Sequence, residues 1–128
     1  MKTLNLTQHA ATPDQIAAGV VDLPPLAQAD LRDAMTFDEI PTSGDVAAAA
    51  DIMGLIAYRY SNAGDQVMIG GAPYLMAPLE QWLVNNDRVP VYAFSIRESV
   101  EKTLPDGSVQ KINVFRHAGF VTGCLYAP

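Results

Sequence analysis

The chain alternates short apolar runs with longer stretches of mixed polarity. The runs "VMIGG" and "VPVYAFSI" are apolar at successive positions, which is typical of strands buried on both faces of a parallel sheet. The stretches between the apolar runs carry hydrophobic residues near helical spacing. This alternation predicts an α/β protein with a Rossmann-like three-layer fold and a mostly parallel sheet of four or five strands.

The first half of the chain predicts two short helices. In "ATPDQIAAG", Thr12 is a good N-cap, Pro13 suits the first helical position and Gly19 stops the helix. "VVDLPP" is extended, since residues before proline avoid the helical region, and it predicts a short edge strand. "PLAQADLRDAMTF" predicts a second helix, with Leu26, Ala29 and Ala34 toward the core.

Two longer helices are predicted in the middle of the chain. Ser43 is expected to cap the first, which is apolar on nearly all sides between Val46 and Tyr60. Such a helix is either deeply buried or shared with a second subunit. "YLMAPLEQWLVNNDR" predicts the other, with Pro78 in or just before its first turn.

The last third predicts a hairpin. "SIRESVEKTLPDGSVQKINVF" indicates two strands around the turn "PDGS", and the second strand is expected at one edge, antiparallel to the sheet. "RHAGFVTG" is interpreted as a loop, with or without a last short strand. The sequence contains no repeat, low-complexity tract or linker, so residues 1–128 are expected to form a single α/β domain.

Composition limits the classes of partner and the cellular location expected for this chain. The net charge is -6, which argues against an extended nucleic acid as partner, although a small anionic ligand needs only a few donors. The single cysteine, Cys124, forms no internal disulfide, so a reducing cytoplasmic location is expected. No signal peptide is expected, because polar residues interrupt any apolar run in "MKTLNLTQH", and no apolar run is long enough to span a membrane.

The first strand has an unusual polar face. Leu4 and Leu6 point to one side, whereas Asn5, Thr7 and His9 point to the other, because side chains alternate along a strand. These polar groups either face an open cleft at the end of the strand or only cap the turn into the next helix.

Two further strands end in residues suited to binding. Gly70 and Gly71 allow backbone N–H groups to approach an anion at a helix N-terminus, or they simply form a tight turn. Ser95 and Arg97 follow the next apolar run, and Arg97 either binds phosphate or pairs with an acid such as Glu98. Ligands bind at the carboxyl ends of parallel strands, so these groups predict one ligand site.

The remaining candidates are basic. Arg116 and His117 follow the last apolar strand, and His9 and His117 are each expected either to act as an acid or base or to have a structural role. The sequence shows no metal-binding pattern and no Ser-His-Asp signature, so neither a metal nor a cofactor is expected.

The stretches "LNLTQHAATPDQ", "MIGGAPYLMAPLEQWL", "VPVYAFSIRES" and "NVFRHAGFV" together resemble small stand-alone CRISPR-associated proteins of the CARF-like and ring-nuclease kind. The chain also looks like uncharacterised small proteins carried on bacterial mobile elements, a resemblance that implies no activity.

The CARF-like resemblance implies a dimer that binds a cyclic oligoadenylate, which some members cleave without a metal. It would place Asn5, Thr7 and His9 at the ligand, Gly71 at a phosphate, and Ser95 with Arg97 beside the sugar–phosphate ring. Arg97, Arg116 or a histidine would stabilise charge during cleavage.

Two functional hypotheses follow. One is a nucleotide-binding protein, either a sensor or a metal-independent phosphodiesterase with His9, Arg97 and His117 as its catalytic candidates. The other is a noncatalytic interaction or regulatory module. A homodimer is expected in both, because the apolar helix from Val46 and the hairpin residues Val114 and Phe115 would otherwise be exposed.

Overall fold

In the computed structural model, which describes residues 2–127, one five-stranded sheet organises the fold. Its strands are β1 (Thr3–Asn5), β2 (Val20–Asp22), β3 (Gln66–Met68), β4 (Val89–Thr103) and β5 (Val109–Thr122). They lie in the order β2-β1-β3-β4-β5, with the first four parallel and β5 antiparallel to β4. The predicted mostly parallel sheet with an antiparallel edge strand is thereby confirmed.

Four helices connect the strands: α1 (Pro13–Ala17), α2 (Pro25–Met35), α3 (Ser43–Arg59) and α4 (Pro73–Asn85). Thr12 caps α1 as predicted, in a reciprocal capping box with Gln15. No helix within residues 2–127 has the length and apolarity needed to cross a membrane.

Three details of the helices differ from the prediction. Thr42, rather than Ser43, caps α3, because the Thr42 hydroxyl accepts from the N–H of Asp45 and the Asp45 carboxylate accepts from the N–H of Thr42. Pro78 lies inside α4, since that helix already begins at Pro73. Leu26 is 84% exposed, and α2 instead buries Ala27, Leu31 and Met35.

The core has two unequal parts. The larger lies between the sheet and the layer formed by α2, α3 and α4, where Leu4 and Leu6 are fully buried. On the opposite face of the sheet, Val20, Met68 and Val91 pack with Phe120, and α1 contacts β2 and β5 on this side. The two leucines therefore point into the main core, as the alternation along the first strand predicts.

The hairpin is longer than the sequence indicates. The prediction of a strand that ends near Ser95 was wrong, because β4 continues without a break to Thr103, and the segment interpreted as a loop after Phe115 belongs to β5. β3 pairs with β4 only as far as Val91. Beyond that point β4 and β5 form a two-stranded ribbon, residues 92–103 and 109–121, which we name the arm. Its 12 residues in β4 span about 40 Å.

Candidate functional site

A cavity of about 570 Å³ opens at the carboxyl ends of β1 and β3, beside Tyr92 and Ala93 where β4 leaves the parallel sheet. This is the edge at which open α/β sheets bind ligands. Four of the residues predicted from the sequence line it: Thr7, His9, Gly70 and Gly71. The convergence of the first two strand ends, which the sequence analysis inferred from topology alone, is therefore present in the structure.

Asn5 shapes the loop that forms one wall of this cavity. Its Oδ1 accepts from the backbone N–H of Thr7 at 3.0 Å and from the Thr7 hydroxyl at 2.7 Å. Its Nδ2 donates to the carbonyl of His9 and to Asp22 Oδ1, both at 2.8 Å. Asn5 is buried and all its hydrogen-bonding groups are engaged by the protein, so it positions Thr7 and His9.

The opposite wall is the turn from β3 into α4. Gly71 has φ +139°, and a Cβ there would lie 2.8 Å from Met35 Cε. Gly70 has more room, because a Cβ would meet only Thr7 Cγ2, at 3.7 Å. α4 begins at this turn, and its N-cap residue Ala72 provides no side-chain hydrogen bond. This helix end carries a partial positive charge, but Pro73 has no N–H and the Leu75 N–H already donates to the Ala72 carbonyl at 3.0 Å. The backbone N–H groups at the cavity are therefore those of its lining residues Gly70, Gly71 and Ala72.

Tyr92 forms a third part of the lining, and α4 fixes its ring. The Tyr92 hydroxyl donates to Glu80 Oε2 at 2.6 Å, and buried Glu80 also accepts from the N–H of Leu125 at 3.2 Å. A Cβ at Gly123 would overlap the Glu80 carboxylate, so a larger residue there would displace this side chain from its hydrogen bonds to Tyr92 and Leu125. Burial and the nearby Glu80 carboxylate raise the pKa of Tyr92 well above its usual value, so its hydroxyl stays protonated.

The other predicted site residues lie on the arm and do not line the cavity. Ser95, Arg97 and His117 are on the face of the arm that continues the α1 side of the sheet. Arg116 is on the opposite face and forms an ion pair with Glu98, the acid that the sequence analysis considered for Arg97. These residues are separated from the cavity because β4 continues past the edge of the sheet instead of ending there.

His117 is sheltered without being hydrogen-bonded. Its two ring nitrogens are buried and have no hydrogen-bond partner in the described part of the chain. Its ring packs edge-on against Phe120, with 4.9 Å between the ring centroids. The residues around His117 include the α1 residues Asp14 and Ala17, and they do not include Thr7 or His9. The structure therefore gives His117 packing contacts and no contact with the cavity.

The cavity lining includes residues that sequence reasoning missed, namely Gln8, Thr12, Gln15, Ala72 and Tyr92. Thr12 and Gln15 were recognisable only as a capping pair. Among the described residues, the side chains that line the cavity include no Lys, Arg, Asp or Glu. The available donors are thus backbone N–H groups, hydroxyls, amides and the imidazole of His9.

Comparison with known proteins identifies one family. A model of the uncharacterized protein MJ1673 family matches residues 1–121, which is nearly the whole chain of 128 residues. Neither a curated protein nor a solved structure gives a significant match.

Proposed function

This chain belongs to the uncharacterized protein MJ1673 family, and we propose that its strand-end cavity binds a small phosphorylated or nucleotide-like ligand. The observation that carries the proposal is the meeting of two features at one place. The backbone N–H groups of the Gly70–Gly71 turn and of Ala72, the N-cap residue of α4, belong to the lining of a cavity at the carboxyl ends of β1 and β3. A phosphate accepts hydrogen bonds from such N–H groups.

The size and chemistry of the cavity define the ligand class. About 570 Å³ falls within the range of small-molecule sites, roughly 300–1,000 Å³. The lining side chains include no Lys, Arg, Asp or Glu among the described residues, which favours one phosphate at the Gly70–Gly71 turn over a cluster of phosphates. Hydroxyl and amide groups of Thr7, Gln8 and Gln15 suit the polar edges of a base or sugar.

Binding without cleavage is the better supported activity. Of the three catalytic candidates, only His9 lines the cavity, while Arg97 and His117 lie on the arm. One imidazole leaves the charge that develops in phosphodiester cleavage without a cationic side chain nearby. A mononucleotide such as AMP is therefore the first ligand to test, and the resemblance to CARF-like proteins adds cyclic oligoadenylates, bound through one of their phosphates as a signal that is sensed.

Gly70 provides the direct test. Its Cβ position is open, so Gly70→Asp and Gly70→Asn place side chains of similar size into the cavity, and only the aspartate carries charge. Calorimetry with AMP, cyclic tetra-adenylate and cyclic hexa-adenylate should show that the Asp variant binds at least about tenfold more weakly than the Asn variant, a difference of about 1.4 kcal/mol.

Other results would contradict the proposal. Equal affinity of the two Gly70 variants would mean that no anion lies at the Gly70–Gly71 turn. The Arg97→Ala variant is expected to bind as tightly as the unaltered protein, and a large loss would move the site onto the arm. Linear products after incubation would show that His9 and the backbone suffice for cleavage.

A further inference from the structure

One face of the arm is apolar along most of its length. Residues directly opposite each other in an antiparallel pair share a face, and the register of β4 and β5 assigns the members: Phe94, Ile96, Val100, Ile112, Val114 and Val121. Phe94, Ile96 and Val121 are each about half exposed, at 52%, 50% and 52%. We name this surface the apolar arm face. It continues from Tyr92 and so looks toward the side of the sheet that carries α4.

We propose that a second copy of this chain covers the apolar arm face, with the two arms packed face to face and antiparallel. This inference does not depend on the proposed ligand. The other face of the arm is mixed along its whole length, with Ser95, Arg97 and Lys111 among its members. The polar members of the apolar arm face are grouped instead, with Glu98 and Arg116 at its middle and Lys102 and Gln110 at its tip. An exposed apolar surface of this kind indicates an interaction site.

The position of the helices selects the antiparallel arrangement. The layer of α2, α3 and α4 lies on the same side of the sheet as the apolar arm face. Two arms packed in parallel would bring both helix layers into the same space. Antiparallel arms place the helix layers of the two copies at opposite ends of the interface. The tip of each arm then lies near the start of the other arm, at Tyr92.

The apolar arm face is complementary to itself in this arrangement. A two-fold axis between the levels of Ile96 and Glu98 places Val100 over the partner's Phe94. The same axis places Ile112 over the partner's Gly119, where the absence of a side chain leaves room for it. The interface is therefore isologous, with each copy supplying the same residues.

The charged residues on this face also fit. Glu98 and Arg116 form an ion pair within each arm, beside the proposed axis. The axis places Glu98 over the partner's Ile96 and Arg116 over the partner's Val114, so each carboxylate lies diagonally across from the partner's guanidinium. Opposite charges thus meet across the interface, which sets its register.

The area is sufficient for a dimer of modest affinity. A ribbon about 40 Å long and two strands wide provides about 500 Å² on each arm, or about 1,000 Å² in total. Specific interfaces begin near this size, so we expect dimerisation to depend on concentration.

The first experiment measures the mass by light scattering across a concentration series. The measured mass should rise from 13.8 kDa, the mass of one chain, toward twice that value as the protein concentration increases. Val100→Asp/Ile112→Asp should remain a monomer, because four carboxylates would lie in the interface. Phe115→Asp is the matched control on the other face of the arm, where the residue is 71% exposed, and it should still dimerise. A monomer at every concentration, or a dimer that tolerates the double Asp change, would overturn the proposal.

The second experiment tests the arrangement. In a Cys124→Ser background, Phe94→Cys/Val100→Cys places thiols about 20 Å apart within one chain, beyond the reach of a short bis-maleimide. Antiparallel arms bring the thiol at position 94 of one copy opposite the thiol at position 100 of the other copy. The double variant should therefore cross-link into dimers. Each single variant should cross-link poorly. Strong cross-linking of Phe94→Cys alone indicates parallel arms, and a dimer without any cross-link indicates another interface, such as the groove between α2 and α3. Either result would overturn the proposal.

Discussion

At the scale of the residue, Asp65 is the clearest case of a charge held by backbone groups. Its Oδ2 accepts from the N–H of Asn62 at 2.8 Å, in the turn between α3 and β3. This hydrogen bond, helped by the N–H and charge of Lys2, lowers the pKa of Asp65 below 3.8. Because the folded pKa lies below the unfolded one, the carboxylate stabilises the fold above the unfolded pKa, and this contribution disappears as the pH falls through the folded pKa.

We therefore predict that Asp65→Asn lowers the free energy of unfolding by about 1 kcal/mol at neutral pH. The difference from the unaltered protein should shrink below pH of about 4, where the aspartate itself becomes protonated. Urea unfolding at several pH values measures this. Asp51→Asn, an exposed change on α3, is the control and should have little effect. A pH-independent loss in Asp65→Asn would show that charge is not the cause.

Sequence reasoning succeeded for residues whose role is local. Thr12 was identified as a cap because its partner Gln15 lies three positions later, and the same spacing between Thr42 and Asp45 would have excluded Ser43. Long-range roles left no comparable signal. Buried Arg88 donates to the carbonyls of Tyr58 and Ser61 at the end of α3, contacts that depend on tertiary packing.

At the scale of the element, α3 and α4 approach closely at Gly54. A Cβ on Gly54 would overlap the Trp82 ring, so any larger residue forces the two helices apart or displaces the indole. We predict that Gly54→Ala costs about 1–3 kcal/mol of stability despite its better helix propensity. Thermal unfolding measures the loss.

Two further variants isolate the cause. Gly44→Ala lies in the first turn of the same helix, where the nearest atom to a Cβ is Thr42 Oγ1 at 3.7 Å, and it should be neutral or stabilising. Trp82→Leu should reduce the additional cost of Gly54→Ala, since the two side chains compete for one space. If the stability losses of Gly54→Ala and Trp82→Leu simply add, the strain at Gly54 does not come from the Trp82 ring.

The order of the elements was predictable, but the length of the hairpin was not. Apolar runs between helices indicate parallel strands, because such strands are covered on both faces. The polar residues from Ser95 to Glu98 were interpreted as the end of a strand, whereas they belong to an exposed two-stranded ribbon in which polar side chains cost little. This difference explains why Thr7 and Gly71 line the cavity and Arg97 does not.

At the scale of the whole molecule, the arm and the rest of the described chain, which we call the body, have separate roles. Within residues 2–127, every hydrophobic residue of the buried core lies between Leu4 and Val91. The cavity likewise uses the arm only at its root, through Tyr92 and Ala93. The distal arm therefore contributes little to the stability of the monomer or to the lining of the cavity, and an interaction with another chain accounts for its length and its apolar face.

This separation predicts the outcome of shortening the arm. Ser99 and Asn113 are directly opposite each other, so residues 100–112 can be replaced by an Asn-Gly turn that closes the same hairpin. In dilute solution the shortened protein should unfold at nearly the same temperature as the full chain and bind ligand equally well. At high concentration it should remain a monomer, because Val100 and Ile112 are removed.

The matched control is a change at the root of the same hairpin. Phe120 packs against the buried residues Val20, Met68 and Val91, so Phe120→Ser should lower the free energy of unfolding by about 2 kcal/mol. Thermal unfolding, calorimetry and light scattering on the three proteins separate the roles. If shortening the arm destabilises the dilute monomer as much as Phe120→Ser does, the distal arm is part of the fold. If it abolishes ligand binding while the protein stays folded, the arm belongs to the binding site.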